Sequence, residues 1–477
     1  MRPEGALREH IAETVAVEVP ELGRAGGVSP NQAADDDCAR DLSPSRPRLT
    51  PLWALKAVYC IGTGSGACLW KYITVFYHSI GLTNSQIGLI QMLNPAINFV
   101  AQIGWAGLCD YLGSYKEVLI VSNTLGVIAT CCCLFPFVQE HFWILCLVVL
   151  AASAFMASRG SVNDSLALQI VDDYKQARTV AAARGEAVDV KSLPSYGEQR
   201  LWGAAGWGFC SLFGGYLMDS FGVPFMFVSF ALLLSLTIFI IAFYFPARQA
   251  SMQRPQETSS VAPRRNLLNF ELIWFFANLI LYGFCMSLVE TFLFVFMLRD
   301  FQGTTSFLLG ATILVMCAFE IPVFMWVDKK LFHKWNLTTL LSACHVIFAI
   351  RCFLYAACPR EHAWLVLLIE PLHGITFAAM WSCSVEYAKR LSPEGGQAKM
   401  QALVNGMYYQ FAIGIGSVVW GPLTEEPPKG YGFAPCYYAA AVLLLIWSVI
   451  WNIGWCMRRQ RMPDVPLLSG AAETPLS

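Results

Sequence analysis

Charge is scarce in this chain of 477 residues. Asp, Glu, Lys and Arg make up 14% of it and the net charge is −1, where a soluble domain carries roughly 25% charged residues. The lack of a basic excess excludes a nucleic-acid binder. So little charge also excludes a disordered chain and a soluble enzyme of average make-up. The seventeen cysteines form no CxxC pair and no ligand-spaced cluster. They read as small core hydrophobes, with no metal site and no disulfide framework. No nucleophile or phosphate-loop constellation is found, so neither enzyme chemistry nor a cofactor is expected. Residues 1–51 hold no apolar stretch long enough for a signal peptide. Their acids, arginines and prolines, with the run Asp35-Asp36-Asp37, read as a disordered cytosolic tail.

What abounds is apolar sequence, at 56% AVILMFWYC. Apolar runs lie at about 53–80, 86–109, 117–138, 142–171, 200–218, 223–245, 270–298, 306–327, 337–357, 362–388, 400–421 and 433–456. Each is long enough to cross a bilayer as a helix, and a β-barrel is excluded because the runs do not alternate. The expected class is an all-α integral membrane protein of twelve transmembrane helices. It divides into a tail (1–51), a six-helix bundle (52–245), a central cytosolic loop (246–269), a second six-helix bundle (270–456) and a cytosolic C-terminal tail (457–477). With both termini cytosolic, the inner loops and the C-terminus carry 19 lysines and arginines and the outer loops only Arg299, Arg360 and Lys429, a strong positive-inside bias. The stretch from Gly81 (GLTNSQIGLI) to Lys116 recurs weakly from Gly303 (GTTSFLLGAT) to Lys334, and duplicated halves mark alternating-access transporters.

The informative residues are the few ionisable ones at membrane depth: Lys71, Arg159, Asp164, Arg200, Glu290, Glu320, Arg351, Glu370 and His373. Such groups persist only when they face a wet cavity or pair internally. Glu370 and His373, three apart, share a helical face about 12–17 Å into their span, and Arg351 and Glu320 lie about 20 Å into theirs. All four can meet at one level. A carboxylate or imidazole held near arginine there could carry a proton. Structural pairing is the competing reading, with Arg159 also able to reach for the membrane surface. His345 reads as a hydrogen-bonded core residue. Asn94, Asn98, Tyr282 and Trp381 read as packing or interfacial residues that could also line a site.

Two motifs carry a family resemblance. Trp105-Ala-Gly-Leu-Cys-Asp110-Tyr-Leu-Gly113-Ser-Tyr-Lys116 resembles the loop after the second span of the major facilitator superfamily, which makes Asp110, Gly113 and Lys116 a conformational motif. Tyr196-Gly-Glu-Gln-Arg200-Leu-Trp202-Gly-Ala-Ala-Gly206-Trp207-Gly208 resembles the fifth helix of lactose-permease-type oligosaccharide/proton symporters. It is also similar to their eukaryotic relatives in the major facilitator superfamily associated group. The resemblance covers residues 52–456 and implies the major facilitator fold. It implies substrate binding by Arg200, Trp207 and Asp164, and a proton-coupling set of Glu290, Glu320, Arg351 and His373. The family's glutamate three after that histidine is Thr376 here, and Glu370, three before it, is the expected substitute. Lys71 departs from the sugar symporters. It is expected to bind substrate or to pair with Glu290 as an outer gate.

The function expected is proton-coupled symport of a small polar solute, a sugar, nucleoside or related compound. Antiport of an anionic solute and a non-transporting receptor or scaffold are the alternatives. The expected partners are the substrate, protons and the lipid bilayer of the plasma membrane or an endomembrane, with no nucleic acid, and the expected state is a monomer.

Overall fold

The computed structural model describes residues 49–183, 194, 196–245, 270–326, 334–392 and 397–461. The expected tail up to residue 48, the central loop 246–269 and residues 462–477 lie outside the described residues.

Among the described residues, twelve long helices follow one another. They are α1 (Leu52–Ser79), α2 (Asn84–Leu112), α3 (Tyr115–Cys131), α4 (Phe142–Met156, continued by Ser158–Ala183), α5 (Tyr196–Phe221), α6 (Phe225–Tyr244), α7 (Phe270–Asp300), α8 (Ser306–Trp326), α9 (Leu337–Ala357), α10 (Ala363–Leu391), α11 (Met400–Leu423) and α12 (Phe433–Arg461). Eleven are long and apolar enough to cross a membrane. The remaining one, α5, has the length, but Glu198, Gln199, Arg200 and its glycines dilute its apolar character. The protein is an all-α, multi-pass integral membrane protein. The apolar runs foretell the helix positions closely except in α4, which continues to Ala183 through residues expected to interrupt it. Those residues include good helix formers, Ala, Gln, Lys and Arg, and Lys175 pairs with Asp172 one turn back at 3.2 Å.

The internal repeat has a structural counterpart. Gly81 and Gly303 both adopt positive φ (84° and 72°), the left-handed conformation open to glycine. Two residues later, Thr83 and Thr305 cap the next helix. Their hydroxyls accept from the amides of Gln86 at 3.3 Å and Leu308 at 3.1 Å. Gly113, also left-handed, ends α2, and Ser114 caps α3.

Apart from a bond between Lys71 and Glu290, the hydrogen bonds between residues of 52–245 and residues of 270–456 gather at one end of the molecule. Asn84 donates to the Thr424 carbonyl and hydroxyl, both at 3.2 Å, and Glu425 accepts from the amide and hydroxyl of Ser85. Asp219, near the end of α5, accepts from the first two amides of α8, Ser306 at 2.7 Å and Phe307 at 2.8 Å. A carboxylate at a helix N-terminus satisfies donors that have no partner within the helix and opposes the helix dipole. The helices meet here through small residues, as membrane helices do. A Cβ on Gly88 would lie 2.2 Å from the Ser417 carbonyl oxygen, and one on Gly215 2.1 Å from that of Ser306.

Candidate functional site

The helix α5 crosses α1 at Gly206, where a Cβ would lie 1.9 Å from the Cys60 carbonyl oxygen. That close approach brings Arg200 and Trp207 of α5 beside Tyr59 of α1 around a cavity of about 660 Å³. Asp164 and Arg159 of α4 line the same cavity. The Tyr59 hydroxyl donates to Asp164 at 2.8 Å, and Arg200 donates to the Tyr196 hydroxyl at 3.3 Å. Arg159 turns away from the membrane surface to α1, where its Nη2 donates to the Gly62 carbonyl and, at 3.1 Å, to the Ser65 hydroxyl.

A second cavity of about 650 Å³ shares Trp70, Asn98 and Trp207 with the first. Both indoles pack on Gly66, whose added Cβ would lie 3.3 Å from Trp70 and 3.4 Å from Trp207. The two cavities are thus lobes of one chamber with an aromatic waist. Residues from both halves line the second lobe, among them Lys71, Asn94, Glu290, Glu320, His373 and Tyr408. Each lobe by itself lies within the size range of small-molecule sites.

Two ion pairs stand beside it. Lys71, at the interruption between the two pieces of α1, lies 2.5 Å from Glu290 of α7. Arg351 Nη2 of α9 lies 3.2 Å from Glu370 of α10, with both side chains almost fully buried, at 1% and 2% exposure. Tyr355 completes the second group. Its hydroxyl donates to Glu370 at 2.6 Å and accepts from Arg351 Nε at 2.9 Å. A crevice of about 20 Å³, lined by Lys71, Glu290, Arg351, Glu370 and His373, connects the two pairs and holds space for about one water.

Every expected substrate-binding and proton-coupling residue therefore lines the chamber or its crevice: Asp164, Arg200, Trp207 and Lys71, and Glu290, Glu320, Arg351, Glu370 and His373. Glu320 has no hydrogen-bond or ion-pair partner among the described residues. His373 is buried with Nδ1 unsatisfied, just before a π-helical stretch, Gly374–Ala379. The Tyr282 hydroxyl donates to the Thr376 carbonyl at 2.5 Å within that stretch, a reach across helices that re-satisfies backbone polar groups where the regular ladder is broken. Trp381 packs on Tyr408 and Tyr409. His345 bonds Asn278 at 2.7 Å in the core.

In the conformational motif, Gly113 makes the turn. The Lys116 ammonium donates to the carbonyls of Ala242 and Phe245 at 2.6 and 2.7 Å, a cation at the C-terminal end of α6. The side chain of Asp110 lies outside the described set.

Sequence reasoning misses Tyr59, Trp70, Asp219 and Tyr355. Tyr355 alone has a sequence signal, since it stands four residues after Arg351 and so on the same helical face.

The model of the MFS_1 like family matches residues 52–428. The chain belongs to that family, within the major facilitator superfamily. The maltose permease of Geobacillus stearothermophilus is 26% identical over 376 residues, covering 76% of this chain and 86% of the permease. The uncharacterized transporter YwbF of Bacillus subtilis (strain 168) is 24% identical over 375 residues, 76% of this chain and 83% of its own length. Among solved structures, the nucleoside transporter NupG superposes with a TM-score of 0.67 at 13% identity, over 85% of this chain and 98% of NupG. The protein is a membrane transporter of the facilitator type and not an enzyme, and its cargo is a small molecule.

Proposed function

We propose that this transporter carries a small polar solute of the sugar or nucleoside class together with protons, by alternating access. In this reading α5 is the twelfth crossing and both termini are cytosolic. Two six-helix bundles, 52–245 and 270–456, rock about the chamber between them. The 19-to-3 bias of lysines and arginines supports the hydrogen-bonded end as the outer one, with the chamber facing the cytosol.

The observation that carries the reading is the joint lining of one chamber by polar, solute-suited groups and protonatable groups. Arg200, Asp164 and Trp207 supply a planar hydrogen-bonding fork, an acceptor and a stacking face, while Glu320 and His373 stand across the waist. The names of the relatives, a maltose permease and a nucleoside transporter, agree with a solute carrying several hydroxyls. The test is uptake by proteoliposomes of a panel of sugars and nucleosides with and without an inward proton gradient. Uptake of a panel member that rises with the gradient and is lost in Arg200→Ala supports the reading. Uptake indifferent to both overturns it.

A further inference from the structure

The first lobe holds a cation that the transport reading leaves unused. Lys71 is answered by Glu290 and Arg351 by Glu370. Arg159 and Arg200 instead share a lobe with one carboxylate, Asp164, which already accepts from Tyr59. The groups that hold Arg159, the Gly62 carbonyl and the Ser65 hydroxyl, are both uncharged and both engage Nη2. No carboxylate stands within ion-pair distance of Arg159 among the described residues. A guanidinium at this depth without a counter-charge is costly, and its planar fork is suited to carboxylate and phosphate oxygens. The second lobe has the opposite surplus, since Lys71 and Glu290 cancel and leave Glu320. The chamber is therefore polar along its length, positive on one side of the Trp70–Trp207 waist and negative on the other.

We propose that the solute carries one anionic group, a carboxylate or a phosphate, and that Arg159 and Arg200 receive it together in the first lobe. Its ring lies at the indole waist and its uncharged end reaches toward Glu320. This rests on the transport reading and narrows the solute from polar to acidic. It makes Arg159 the residue that separates acidic from neutral solutes.

The test is a thermal-shift titration of the purified full-length protein with glucose, glucuronate, glucose 6-phosphate, uridine and uridine monophosphate. At least one acidic member is expected to stabilise at a midpoint about tenfold below that of its neutral counterpart, the size of one good charge-assisted contact. Glucuronate separates the carboxylate case from the phosphate case. In Arg159→Gln that ratio should fall to about twofold or less, and Arg159→Lys should keep part of it. If R159Q does not fold, Asn163→Asp, which puts a carboxylate in the same lobe, should lose the acidic ligand selectively. Neutral members that each bind as well as their acidic counterparts overturn the inference and leave the transport reading standing. An R159Q protein that melts lower with the ratio unchanged also overturns it, because Arg159 is then a tie between α4 and α1. No shift with any of the five overturns it too, and the transport reading falls with it only if proteoliposomes take up no solute.

Discussion

Lys71 of α1 and Glu290 of α7 join the two halves of the chain through an ion pair of 2.5 Å beside the chamber. Removing one partner leaves the other as an uncompensated charge with little access to water, which costs about 3 kcal/mol for a well-buried pair. These side chains are 18% and 27% exposed, so the loss should fall below that figure. Lys71→Gln and Glu290→Gln should each lower the melting temperature, and the double variant should recover about half of the loss. Equal and additive losses would show that the pair does not couple the halves.

Arg351, Tyr355 and Glu370 bond one another, while Arg351 Nη1 is buried without a hydrogen-bond partner among the described residues. Arg351→Ala should be strongly destabilising, by about 3 kcal/mol, because the buried Glu370 then loses its counter-charge and keeps only the Tyr355 hydroxyl. Glu370→Gln keeps the shape and removes the charge. It should abolish the pH dependence of uptake while ligand still stabilises the protein in a thermal-shift assay. Unchanged pH dependence would transfer the proton to Glu320, the carboxylate of the second lobe without a partner.

Asp164 and Arg200 share the first lobe, and Tyr59 holds Asp164 in place. Asp164→Ala and Arg200→Ala should lose uptake while reaching the membrane folded. Tyr59→Phe removes one hydrogen bond to a charged group, worth about 1.5–3 kcal/mol, and should weaken solute binding about tenfold. Wild-type uptake in the alanine variants would remove both residues from the site.

Asp219 binds the first amides of α8 from the other half of the chain. Asp219→Asn keeps one acceptor oxygen and loses the charge, at a cost of about 1 kcal/mol. The closed end should open more often. A cysteine placed at Phe307 should then react with a membrane-impermeant thiol reagent several-fold faster, and an unchanged rate would show that Asp219 is not part of the closure.

The helices are legible in the sequence because bilayer thickness fixes the length of an apolar run. α4 outlasts its apolar run because Ala, Gln and Arg continue a helix without needing lipid. The charged members of the site are legible for a related reason: at membrane depth each needs a partner or water, so their rarity marks them. The partners themselves are not legible. Tyr59 and Trp70 resemble every other aromatic residue in an apolar run. Which of them meets Asp164 or Trp207 is decided by the crossing of α1 and α5 at Gly206, a contact 146 positions away in sequence from Cys60. Arg159 is the instructive case, because its position in α4 is compatible with reaching for the surface. The joint after Met156 and the Gly62 carbonyl, which also accepts from the Ser65 hydroxyl, turn it inward.

The crossings at Gly88 and Gly215 give the closed end an unusual property. At these two points the faces approach within a methyl group of the opposite backbone, inside the ring of side-chain bonds made by Asn84, Ser85 and Asp219. A single methyl group is then enough to act as a doorstop. In the alternating-access reading proposed above, alanine at either position would bar this conformation and leave the opposite one untouched, giving a protein held in one posture and suited to capturing the state in which the chamber faces the other side.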